Sequence, residues 1–110
     1  AGEAANGLIV ATPWFADKPD EKVKAFVEKY ETAYGHKPDQ FAAQAYDALY
    51  IYAEALKNAG EADRDALRDA LAEIKDLEGI LGKISFDEDG DVIMDPTVLI
   101  IQDGEFKLFE

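Results

Sequence analysis

From Pro38 to Gly60 the sequence PDQFAAQAYDALYIYAEALKNAG runs without an interior glycine or proline, and its apolar residues almost encircle the helix it must form. Phe41, Ala45, Leu49, Tyr52 and Leu56 follow one another at spacings of four and three, the repeat of one helical face. Ala42, Tyr46, Tyr50 and Ala53 widen that face on both sides. Only Gln44, Asp47 and Glu54 leave a narrow polar stripe. Asp39 is positioned to cap the first turn, where free N–H groups want an acceptor. A surface helix carries a broader charged face, so this one is expected to pack on two or more sides. All other elements are read as its neighbours.

Before it, Gly7 to Thr12 is a short apolar run closed by Pro13, the pattern of a buried strand. Asp17 or Asp20 then caps a helix in which Val23, Phe26, Val27, Tyr30, Ala33 and Tyr34 share one face, and Gly35 stops it. After Gly60, Asp63 caps a third helix with Leu67, Ala70, Leu71 and Ile74 in helical register. The period changes beyond Gly79 and Gly82. Ile84 and Phe86 alternate with Lys83 and Ser85 as in a half-exposed strand, and Asp87 to Asp91 turns the chain. Val98 to Ile101, the turn pair Asp103-Gly104 and the alternation through Phe109 predict a C-terminal β-hairpin. The fold class is α/β, or α+β if the segment stands alone: three helices packed on one small sheet. So few elements cannot cover the central helix, and part of its surroundings is expected outside these residues.

The 110 residues fit one domain. A net charge of −13 repels phosphate backbones and anionic lipid, which argues against nucleic acid and membrane surfaces as partners. No apolar run reaches the length of a membrane span, and the first ten residues lack the basic start of a signal peptide. Cysteine is absent, so there are no disulfides and no thiolate metal sites.

Catalytic chemistry finds little to work with. His36 is the single histidine and reads as a solvated loop residue. The acidic loop from Asp87 would need glycine at its sixth place and glutamate at its twelfth to resemble a calcium loop, and those places hold Val92 and Val98. It reads as a turn. Asp39 and Asp47 form no convincing acid and base pair among 24 acidic residues, so neither enzyme activity nor a cofactor is expected. Two aromatics remain open between core packing and ligand contact. Phe41 begins the central helix, and Trp14 follows the carboxyl end of a strand, where open α/β sheets place their ligands.

GLIVATPWFADKPDEKVKAFVEKY, PDQFAAQAYDALYIYAEALKNAG and EGILGKISFDEDGDV, in that order, resemble the last third of a periplasmic substrate-binding protein of the Leu/Ile/Val-binding type. The most specific pieces are the TPWF strand exit, the AYDAL helix core and the GKISFD run into an acidic glycine turn. The resemblance implies a non-catalytic, two-lobed receptor in the periplasm or outside the cell, serving an ABC importer. Its ligand would be a branched-chain or related amino acid, and its further partner the ABC permease. It also implies that residues 1–37 and 96–110 belong to one lobe and 38–95 to the other, with crossings near Gly35 to Gln40 and between Ile84 and Pro96. The aromatic that lies against ligand in that family falls on Phe41, with Trp14 as the second candidate. The groups that hold the ligand's charged ends fall in the family's earlier segments, so the 110 residues alone are expected to bind no amino acid. The competing expectation is a fragment that folds alone, or dimerises by exchanging the hairpin or the central helix, and has no ligand.

Overall fold

The computed structural model describes residues 2–109. After a short 3-10 turn at Gly2–Ala5 come β1 (Ile9–Thr12), α1 (Glu21–Tyr34), α2 (Gln40–Ala59) and α3 (Arg64–Ala72). The chain closes with β2 (Leu77–Gly79), β3 (Gly82–Phe86), β4 (Val92–Ile93), β5 (Thr97–Gln102) and β6 (Glu105–Leu108). All three helices start at aspartate caps. Asp20 rather than Asp17 caps α1, its Oδ1 accepting from the N–H of Lys22 and of Val23 at 2.9 and 3.1 Å. Asp39 accepts from the N–H of Ala42 at 2.8 Å, and Asp63 from those of Asp65 and Ala66. Ile74 falls beyond the end of α3 and is buried there.

The strands form two antiparallel sheets of three where the sequence suggested one. In the first, β1 pairs with β5 from Ile9 opposite Ile100 to Thr12 opposite Thr97, and β6 lies on the far side of β5. The hairpin of β5 and β6 turns at Asp103-Gly104, both with positive φ (54° and 79°), the geometry that keeps a two-residue turn in step with strand twist. β1 was expected to be buried, yet Ile9 is 51 % exposed, and along the strand exposed and half-buried residues alternate.

The second sheet holds β2, β3 and β4, of which β2 and β4 are too short to register in a period count. Its β2–β3 turn is apolar. Ile80 and Leu81 are buried at the tip, against the body rather than in water. Two peptide N–H groups buried there need acceptors, and the Asp47 carboxylate of α2 takes Ile80 N–H at 2.9 Å and Leu81 N–H at 2.8 Å. Gly79 is glycine for lack of room, since a Cβ there would lie 2.3 Å from Asp47 Oδ2.

One core joins these parts: Trp14, Val23, Phe26 and Val27 pack with Ala43, Ile80, Leu81 and Ile84. The Trp14 and Phe26 rings meet edge to face at 5.8 Å. Three residues of α1 therefore share a core with α2 and β3. The packing groups the helices with β2 to β4, and sets β1, β5 and β6 apart as a separate layer.

The packed side of the central helix is the one that carries its polar stripe. Asp47, from that stripe, is 2 % exposed, and Gln44 and Glu54 are half-buried beside Ala43, Ile51 and Ala55. Its large apolar face is open, with Phe41 74 %, Leu49 67 % and Tyr52 51 % exposed. Hydrophobicity fixes how much of a helix wants cover. The partners actually at hand decide which side receives it.

Candidate functional site

The two layers meet where β1 ends and α2 begins. The Trp14 indole Nε1–H donates to the Pro38 carbonyl at 3.1 Å, satisfying the one polar atom of a side chain only 7 % exposed. The Thr12 hydroxyl donates to Gln40 Oε1 at 3.1 Å and accepts from Trp14 N–H at 3.2 Å. Strand exit and helix entry are thereby fastened side by side.

A groove of about 690 Å³ opens at this junction, lined chiefly by Thr12, Trp14, Phe15, Gln40, Leu99 and Phe106. Asp17 and Lys37 form an ion pair at its edge. The hydrogen bond to Asp17 raises the Lys37 pKa above its ordinary value, keeping the ammonium charged. Trp14 lines the groove while belonging to the core. Phe41, on the first turn of α2, is not among the lining residues and stands open to solvent. The two aromatics singled out in the sequence thus occupy different environments.

Thr12 and Gln40 were not singled out by the sequence, and Asp47 was read only as part of a polar stripe and as no convincing partner for Asp39. Thr12 and Gln40 meet across 28 positions, and Asp47 and Ile80 across 33, so no local pattern announces either pair. A lone aspartate in an otherwise apolar helix was the available signal for Asp47. In the acidic loop, Asp87 Oδ1 accepts from the N–H of Asp89 at 3.0 Å and of Asp91 at 2.8 Å, which closes the turn. Among the described residues no group of three or more potential ligands is placed to hold a metal, and no helix is long and apolar enough to cross a membrane. The junction offers apolar surface, a hydroxyl and an amide. These groups suit reversible contact with a small molecule.

The chain passes from a β-layer into a helical body and back, with an open groove at the junction. The model of the periplasmic binding protein family matches residues 1–105, and the chain belongs to that family. It is 32 % identical over 92 residues to the leucine-, isoleucine-, valine-, threonine- and alanine-binding protein of Pseudomonas aeruginosa, a match covering 84 % of this chain and 24 % of that protein. An ABC transporter substrate-binding protein from Desulfitobacterium hafniense in complex with leucine superposes with a TM-score of 0.84 and 33 % identity, over 96 % of this chain and 32 % of that one. A solute-binding protein of Rhodopseudomonas palustris in complex with 3,4-dihydroxybenzoic acid gives 0.82 and 33 %, over 96 % and 30 %. The chain spans about a quarter of the length of its curated relative and about a third of these solved structures. The family comprises extracytoplasmic substrate-binding proteins of ABC transporters.

Proposed function

We propose that this chain is the part of an amino-acid receptor that carries the crossings between its lobes, acting outside the cytoplasm in uptake through an ABC permease. The reading is non-catalytic. Its main support is the family match over residues 1–105, joined to a structural likeness that extends over 96 % of the chain in a leucine-bound relative. In this proposal β1, β5 and β6 belong to one lobe and the helices with β2 to β4 to the other. The first crossing then lies between Thr12 and Glu21, ahead of the Gly35 to Gln40 stretch suggested by sequence, because α1 shares the core of α2.

Phe41 is proposed as the apolar ligand contact, being an exposed aromatic on the first turn of α2, beside the junction. Trp14 is proposed as the wall of the adjoining groove, held by its bond to Pro38. The ligand class is a branched-chain or related amino acid. Burying both its charges without partners would cost several kcal/mol, so the isolated chain should bind none.

The test is a graft. The matching third of the leucine-bound Desulfitobacterium receptor is replaced by this chain, and leucine and 3,4-dihydroxybenzoate are titrated into the folded product. Leucine binding that weakens about tenfold or more on Phe41→Ala supports the reading, that being the order expected for one aromatic contact. A folded graft that binds neither compound removes it. A second reading, a scaffold that folds alone or dimerises by exchanging the hairpin or α2, draws on the open face of α2. Both elements already have partners in cis, β5 on β1 and α2 against the β2–β3 turn through Asp47.

A further inference from the structure

Two stretches far apart in sequence run side by side at the junction, joined by three side-chain contacts. The Thr12 hydroxyl donates to Gln40 Oε1, the Trp14 indole Nε1–H to the Pro38 carbonyl, and the Lys37 ammonium pairs with Asp17. Positions 12, 14 and 17 thus meet 40, 38 and 37, in opposite chain directions, like the rungs of an antiparallel ladder. The ladder of a β-sheet uses peptide groups, which every residue type supplies. Here each rung has its own chemistry, so the pairing depends on which residues stand at these positions.

The rungs are unequal. Lys37 and Asp17 are both more than half exposed, where an ion pair contributes little. Trp14 and Pro38 are buried, and Trp14 belongs to the core of the helical body. The Thr12–Gln40 rung joins the two layers: Thr12 ends β1, in register with Thr97 of β5, and Gln40 is the first residue of α2. The helix does not need Gln40 for capping, because Asp39 already accepts from the N–H of Ala42. Nor does Thr12 need it, since its hydroxyl has the Trp14 carbonyl at 3.3 Å as a second acceptor. With both needs met locally, the bond is left to fix where α2 starts relative to the end of β1. A rod has a direction only when held at two points. Asp47 holds α2 near its middle, and Gln40 holds it about 10 Å further toward the N-terminus. Phe41 follows in the same turn.

We propose that Thr12 and Gln40 are positioning residues for the ligand contact: their bond across the two layers keeps the first turn of α2, and Phe41 with it, at one place beside the strand exit. The inference rests on the reading of Phe41 as that contact, while its structural half is measurable without a ligand.

Trp14 is the single tryptophan, so the 110-residue chain gives one indole N–H resonance. Gln40→Ala should speed hydrogen exchange of that N–H about fivefold relative to the Ile80 and Leu81 amides, which sit on the Asp47 carboxylate and serve as the internal reference. No change, or an equal rise at all three groups as from general destabilisation, overturns the proposal. In the leucine-binding graft, Gln40→Ala should weaken binding about fivefold, and Gln40→Glu, which keeps an acceptor for the Thr12 hydroxyl, should restore it. Added to Phe41→Ala, Gln40→Ala should weaken binding by less than a further twofold, because the ring it positions is gone. Additive losses mean that Gln40 acts elsewhere, and overturn the proposal as well. A folded graft that binds no leucine removes the functional reading and the ligand half of the proposal with it, and the exchange ratio still decides whether the bond holds the turn.

Discussion

The two sides of α2 differ in a way that residue types alone do not anticipate. The side that packs carries small residues and a carboxylate, Ala43, Asp47 and Ala55, whereas the side in water carries Phe41, Leu49 and Tyr52. On the packed side, stability comes from close approach and from satisfying two buried N–H groups. On the other, the apolar area stands open among the described residues. The comparison teaches that burial is a relation between elements, and that an aspartate can be buried where it satisfies two peptide N–H groups.

The sharpest way to break this contrast is Asp47→Ala. It strands the Ile80 and Leu81 N–H groups in the core, and should destabilise the fold by about 3 kcal/mol or more in urea unfolding. A loss under 1 kcal/mol would mean that the carboxylate does not hold the hairpin tip. Gly79→Ala should cost somewhat less, about 2–3 kcal/mol, since the tip can recede from the 2.3 Å clash at the expense of those same bonds. Thermal melting reads the difference. Trp14→Phe keeps most of the core volume but leaves the Pro38 carbonyl without its donor, for about 1–2 kcal/mol by calorimetry. Leu49→Ser completes the contrast. At concentrations too low for association its effect should stay within about 0.5 kcal/mol, although an equally large leucine in a core would lose several times as much.

Much of this was legible in the chain. The three caps and the hairpin turn rest on residues within three or four positions of one another, and Asp39, Asp63 and Asp103-Gly104 do what their types do in any local setting. The role of Asp47 stayed hidden because its partners come 33 residues later, from a turn whose apolar tip gives no sign of needing an acceptor. β1 was misjudged for the opposite reason. An apolar run records a preference for burial, and among the described residues Ile9 finds only partial cover. Of the candidate site, Phe41 and Trp14 could be named from position, but the pairing of Thr12 with Gln40 needed the strand and helix brought together in space.

The bond from Asp47 to the hairpin tip also sets an order of events. α2 can wind as soon as its own residues are free, yet the two N–H groups it must receive belong to a turn formed far along the chain. Such a contact closes late, because a long loop has to be ordered before the bond returns anything. The clamp therefore acts as a latch on the finished structure. Its removal should speed unfolding while leaving the rate of refolding nearly unchanged.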